Sequence, residues 1–161
     1  MVDMECFKAL RASRLSAELS DEQCTLLAAV CSLRTVGQGE TLVREGSADD
    51  HLYVVLHGTL GVIKNAGTPE AVMLNTLTSG DFAGELGFID GTERYACLVA
   101  LGEVRVLGLA RDRLESLLPT HPEIVYRVMR AIIRTVHQIQ RRLHMQSVEL
   151  SNYIYKQHGR Y

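Results

Sequence analysis

The chain is short of the features that settle a protein's class at a glance. It has no surplus of charge: 17 Lys and Arg stand against 19 Asp and Glu, a formal net charge of -2. Nothing in that balance advertises nucleic acid or an anionic membrane, so partners must be argued from local patterns. Its four cysteines, Cys6, Cys24, Cys31 and Cys97, form no Cys-x-x-Cys pair and have no histidine at zinc-finger spacing. That fits unpaired thiols in a reducing compartment. The N-terminus carries Asp3 and Glu5 and lacks the apolar run that a signal peptide or membrane span requires, so the expected location is the cytoplasm. No Ser-His-Asp, Cys-His or paired-carboxylate motif stands out, and the expectation is a protein that is not an enzyme. Glycine is missing from the flanks: of 13, all but Gly159 lie between Gly37 and Gly108.

That last absence organises the chain, because turns concentrate where glycine does. Its 161 residues, 47% hydrophobic, suit one globular domain. Before the glycine-rich middle, Ser20 and Gln23 have the spacing of a capping box, and Leu26, Leu27, Val30 and Leu33 follow at helical intervals, which predicts a helix over 21–31. Short apolar runs punctuated by Gly, Asn and Asp predict strands at 41–44, 52–56, 59–64, 71–76, 96–100 and 103–110. Strands at that spacing build a sandwich or barrel. A helix at 113–118 follows, then Pro119 and Pro122, then a long helix from 123 onward.

In that last helix Val125, Met129, Ile132, Val136, Ile139, Leu143, Gln146, Leu150 and Tyr153 recur at alternating steps of four and three. This is the spacing of a heptad seam, which calls for a partner helix. Ile124, Val128 and Ala131 form a second face suited to docking on the β zone. The alternative is a helix that simply packs on its own domain, since periods of 3.5 and 3.6 diverge little over so few turns. Arg127, Arg130, Arg134, Arg141 and Arg142 line the same helix with no acidic residue between Glu123 and Glu149; without aromatic interleaving this reads as a solvated face.

The chemistry concentrates in the stretch from Gly80 to Ala96. It offers a Gly84-Glu85 pair, one short helical turn, a glycine turn at Gly91, and then Arg94 entering a strand. Glycine lets an anion approach free backbone N–H groups, and Arg94 supplies a planar fork that can pair with two phosphate oxygens. Glu85, itself negative, is suited to accepting hydrogen bonds from a sugar hydroxyl. An anion contact and a sugar contact nine residues apart point to one compact nucleotide. The competing reading pairs Glu85 with Arg94 as an ordinary ion pair.

Gly39, Gly46, Tyr53 and Gly58, then Gly80-Asp81-Phe82, Gly84-Glu85-Leu86, Arg94 and Ala96, then His121-Pro122-Glu123 together resemble the cyclic-nucleotide-binding domain of the catabolite activator and protein kinase A regulatory-subunit superfamily. The resemblance spans residues 15–143. It implies a mainly β fold with flanking helices: an antiparallel β-roll of the jelly-roll, double-stranded β-helix kind, with an N-terminal helix and a long C-terminal helix. Residues 1–14 would be an extension and 146–161 a tail. The ligand would be cAMP or cGMP, with cAMP favoured, and no cofactor besides. Gly84 would offer backbone to it, Glu85 would hold the ribose 2'-hydroxyl and Arg94 would clamp the cyclic phosphate, with Leu86, Tyr95 and Ala96 completing the cassette.

The chain departs from the family pattern in two places. Tyr95 stands where a Ser, Thr or Ala is usual, and Ile139 and Gln140 stand where the catabolite-activator branch has a Thr and a Ser facing the purine. Gln140 retains an amide able to bond a purine edge. The stretch from Gln146 to Tyr161 is too short for a helix-turn-helix, so direct DNA binding is not expected, nor is a membrane. The expected partners are the cyclic nucleotide, a second copy through the C-terminal helix, and a protein effector. Two alternatives remain open: a roll without ligand serving as a dimerisation or interaction scaffold, and a metal-dependent cupin-like enzyme built around His51 and His57. The second lacks the closely spaced histidines and glutamate that a metal site of that kind needs.

Overall fold

The computed structural model describes residues 3–158, without the side chains of Leu86, Gln157 and His158. Helix α1 (Met4–Ala12), a 3-10 turn (Arg14–Ser16) and α2 (Asp21–Ala28) lead into the strands β1 (Ser32–Val36), β2 (Thr41–Val43), β3 (His51–His57), β4 (Leu60–Lys64), β5 (Val72–Leu77) and β6 (Phe82–Ala83). A short helix α3 (Glu85–Asp90) separates these from β7 (Cys97–Ala100) and β8 (Val104–Ala110), and α4 (Arg111–Glu115) and α5 (Pro122–His158) close the chain. The strands form two four-stranded antiparallel sheets, ordered β1-β8-β3-β6 and β2-β7-β4-β5. This is the β-roll with flanking helices that the turn spacing and the resemblance implied.

The period-two geometry of β3 and β8 explains the layering. Leu52, Tyr53, Val54 and Val55 are all buried, as a strand covered on both faces must be. Leu52 and Val54, with Leu107 and Leu109 of β8, belong to one core with the helices. Tyr53 and Val55, with Val104 and Val106, belong to a second core between the sheets. The first sheet is therefore the middle layer, with helices on one side and the second sheet on the other. At the β3–β4 turn, Gly58 has φ +86°, and a Cβ there would run into the Glu103 carbonyl, so only glycine closes this hairpin against β8.

The predicted capping box is present: the Gln23 N–H donates to Ser20 Oγ and the Gln23 side chain accepts from the Ser20 N–H. Several boundaries differ from expectation. Leu33, read at helical spacing, sits in β1, and α2 ends at Ala28. Strands β1 and β6 were not anticipated: β6 has two residues, and β1 alternates too weakly in burial to register as a pattern. Residues 1–14 are not a mere extension, because α1 sends Cys6 and Leu10 into the helical core. Nor does a tail begin at 146. Helix α5 continues to His158, there being no glycine or proline from 123 to 158 to stop it.

Helix α5 changes character along its length. Ile124, Val128 and Ala131 are buried, the docking face expected of them, but Ile132 of the heptad seam is buried as well. The first part of the seam thus packs on the chain's own core, with Val125, Met129 and Val136 at its border. From His137 to Lys156 every side chain is exposed, a length of about 30 Å. The arginine run is partly engaged: Arg130 and Arg134 both reach Glu18 Oε1 at 3.4 Å, and Arg127 Nη1 donates to the Glu18 carbonyl and to Gln23 Oε1. Among the described residues no helix is long and apolar enough to cross a membrane.

Burial predicts the energetics of α5. Ile132→Ala should lower unfolding free energy by about 2–5 kcal/mol through lost burial and a cavity, whereas Ile133→Ala, at an exposed neighbour, should change it by under about 0.5 kcal/mol. Urea denaturation of both variants measures the contrast.

Candidate ligand-binding site

A cavity of about 300 Å³ opens between the second sheet and the segment from Phe82 to Ala96, a volume at the lower end of the range for small-molecule sites. Its walls are chemically divided. Val43, Val62, Leu77 and Leu98, from all four strands of the second sheet, supply an apolar side, and Glu85, Thr92, Glu93 and Arg94 supply a polar end. An amphipathic guest with a planar apolar part and a charged part matches this division.

Arg94 is 7% exposed, and the backbone around it is tied down: its N–H donates to the Ser47 carbonyl and its own carbonyl accepts from the Gly46 N–H. Its guanidinium is gripped by other main chain. Nη1 donates to the Gly84 carbonyl at 2.5 Å and Nη2 to the His51 carbonyl at 2.6 Å. Nη2 also lies 3.8 Å from Asp49 Oδ1. Nε is buried without a hydrogen-bond partner, an arrangement that costs free energy unless a guest oxygen accepts from it. Gly84 has φ +80°, and a Cβ on it or on Gly87 would collide with the guanidinium. The two glycines of the cassette are therefore needed for arginine to lie against α3.

Asp49 is the acidic partner that sequence reasoning missed. Its Oδ1 accepts from the His51 N–H and meets His51 Nδ1, both at 2.9 Å, and its Oδ2 accepts from the Tyr53 hydroxyl at 3.3 Å. Burial, then the Asp49 charge, push the Tyr53 phenol up to about 12, so it stays a donor. Asp49, Asp50 and His51 bring their ligand atoms within 4.8 Å of one another. Within this cluster Asp49 faces the Arg94 guanidinium, and Asp50 Oδ1 lies 3.5 Å from His51 Nδ1.

Glu85, the first residue of α3, borders the cavity. Burial raises its carboxyl above the usual range, opposed by its own backbone N–H and by the nearby Arg94 charge. No ion pair within 4 Å joins Glu85 and Arg94 among the described residues; the arginine spends its donors on Gly84 and His51. Gly84 and Ala96 also line the cavity. Leu86 belongs to α3, but its side chain is outside the described residues. Tyr95 stands at the border, 69% exposed, so the large phenol does not fill the space. Gln140 is not brought to the cavity: it is exposed on the projecting part of α5, and no residue of α5 lines this space.

Fold and site together define a β-roll with an arginine and a carboxylate at one end of its cavity. Residues 33–121 match the family described as the cyclic nucleotide-binding domain, and the chain belongs to that family. A CRP-like cAMP-activated global transcriptional regulator of Mycobacterium tuberculosis is 27% identical over 106 residues, 66% of this chain and 47% of that protein. The cGMP-dependent protein kinase, isozyme 1, of Drosophila melanogaster is 32% identical over 112 residues, 68% of this chain and 15% of the kinase. The chain thus spans about half the length of the first and far less of the second. Among solved structures, the N-terminal domain of a transcriptional regulator from Streptomyces coelicolor A3(2) is 32% identical with a TM-score of 0.69, covering 84% of this chain and 94% of that one. A cyclic nucleotide-binding domain from Methylobacillus flagellatus KT shares the fold, with a TM-score of 0.79 at 22% identity over 91% of this chain and 84% of that one.

The raised Glu85 carboxyl has a consequence for stability. The folded chain holds this proton more tightly than the unfolded chain, whose glutamate titrates near 4.5, so stability falls as pH rises from there through the raised value. Glu85→Gln, which cannot ionise, should unfold at a higher temperature than the native chain at neutral pH and lose that advantage below pH 4.5. Thermal denaturation across pH checks this.

Proposed function

We propose that the chain is a regulatory sensor that binds a cyclic nucleotide in the cavity, cAMP ahead of cGMP, and signals through α5. The single observation that carries this reading is the buried Arg94 with its unpartnered Nε at the polar end of an otherwise apolar cavity, beside Glu85. A cyclic phosphate accepting from Nε completes the guanidinium's hydrogen bonding, and a ribose hydroxyl donates to Glu85. Preference for cAMP follows the cAMP-activated mycobacterial relative. The role assigned is binding and regulation without catalysis, in the cytoplasm, with four free thiols in keeping.

Transmission follows from packing. Helix α3 carries Phe88 into the core that holds Ile124, Val128 and Ile132 of α5. A ligand that binds one arrangement of α3 more tightly shifts α5 by that difference in affinity. The exposed half of the seam, with Ile139, Leu143 and Leu150 each at least 42% exposed, supports a homodimer through α5, since helices in proteins draw most of their stability from packing an apolar face. A protein effector then reads the dimer, with no contact to DNA or membrane by this chain itself.

A ligand-free scaffold is the second reading, and one observation favours it: each terminal nitrogen of Arg94 already donates to a main-chain carbonyl. Calorimetric titration with cAMP and cGMP separates the two. Binding is expected, and Arg94→Lys, which keeps the charge but loses the fork, should weaken it by roughly 10- to 100-fold, the equivalent of about one charge-assisted hydrogen bond. No heat from either nucleotide at millimolar concentration would favour the scaffold. For the dimer, sedimentation of the native chain should give two copies and Leu143→Asp with Leu150→Asp a monomer; a monomeric native chain counts against the seam.

A further inference from the structure

We propose that the Tyr95 ring is the stacking platform for the base of the bound nucleotide, held in place by Lys64; this rests on the cyclic-nucleotide reading of the cavity. Tyr95 and Arg94 line the same cavity, so a guest whose phosphate sits on the guanidinium occupies a space that the tyrosine borders. Arg94 and Ala96 on either side are each 7% exposed, whereas Tyr95 is 69% exposed at the border of the same cavity. A large ring kept in water beside an apolar cavity gains from any planar surface that covers it.

The ring is also prepared for that use. Lys64 Nζ donates to the Tyr95 carbonyl at 3.0 Å and lies 4.4 Å from the ring centroid. Glu45 Oε1 holds the same ammonium at 2.9 Å. Main chain and ring of Tyr95 are thus fixed by one cation, itself fixed by a carboxylate from the β2–β3 connection. Orienting the ring before the guest arrives removes part of the ordering cost of binding. The ammonium lies over one π-face, and the proposal places the base on the other.

Other surfaces of the cavity do not offer this. Val43, Val62, Leu77 and Leu98 are aliphatic, Phe82 is 5% exposed within the core, and no residue of α5 reaches the space. Among the described lining residues Tyr95 is therefore the one accessible aromatic. Stacking depends on the area of the π-system more than on hydrogen-bond pattern. The chemical class selected is purine 3',5'-cyclic nucleotides over pyrimidine ones, with the tyrosine contributing little to the choice between adenine and guanine.

The test titrates the native chain, Tyr95→Phe and Tyr95→Ala with cAMP, cGMP, cCMP and a ribose 3',5'-cyclic phosphate without a base. Both variants should fold as the native chain does, because the side chain removed is exposed, and circular dichroism verifies it. Tyr95→Ala should weaken both purine nucleotides by roughly 5- to 100-fold, bring the cAMP-to-cCMP preference towards one, and leave the base-free analogue unchanged. Tyr95→Phe should keep native affinity, and Lys64→Ala should lose a smaller factor than Tyr95→Ala. Native purine affinity and selectivity in Tyr95→Ala would overturn the platform while leaving the cavity's assignment standing. If the native chain binds neither a nucleotide nor the base-free analogue, the assignment of the cavity falls, and the platform with it.

Discussion

The arrangement on which this site depends is a guanidinium held by main-chain carbonyls. Arg94 reaches from the segment before β7 to the Gly84 carbonyl before α3 and the His51 carbonyl at the start of β3, joining the cassette to a strand 43 residues away. A buried cation needs hydrogen bonds and a compensating charge; Asp49 supplies the charge, and the glycines of the cassette leave the space. The arrangement leaves Nε without a partner, and on the proposed reading a bound oxyanion supplies it.

Consequences spread outward from that contact through packing. Helix α3 is only six residues long, so it has little helical stability of its own. It is held by Arg94 on one side and by Phe88 in the helical core on the other. That core includes the first turns of α5 and both N-terminal helices, and Glu18 adds ion pairs to Arg130 and Arg134. Exposed pairs of this kind contribute little stability singly, but they fix which face of α5 meets the N-terminal helices. On the proposed reading a change at the cavity reaches the projecting half of α5 through this core, although no described residue of α5 lines the cavity.

Much of the roll was legible because its signals are local. Glycine-punctuated apolar runs located six of the eight strands, and Ser20 with Gln23 located the start of α2. The two missed strands lack such a signal: β6 is a two-residue bridge to β3, and β1 is recognisable as a strand only because β8 lies beside it. On α5 the heptad steps were real, yet Ile132 went to the chain's own core and Ile139 to solvent. Spacing records that a face is apolar and is silent on what covers it.

The site divides in the same way. Sequence alone determined the cassette, since Gly84, Glu85, Arg94 and Ala96 lie within thirteen consecutive residues whose types and spacing carry the chemistry, and the structure brings all four to one cavity. It could not supply the His51 carbonyl, because a main-chain acceptor is common to every residue type and leaves no trace in the residue's identity. Nor could it supply Asp49, or the outward turn of Tyr95 beneath Lys64. Those contacts join positions 31 to 45 residues apart, and only the pairing of strands within and between the two sheets decides which distant groups meet.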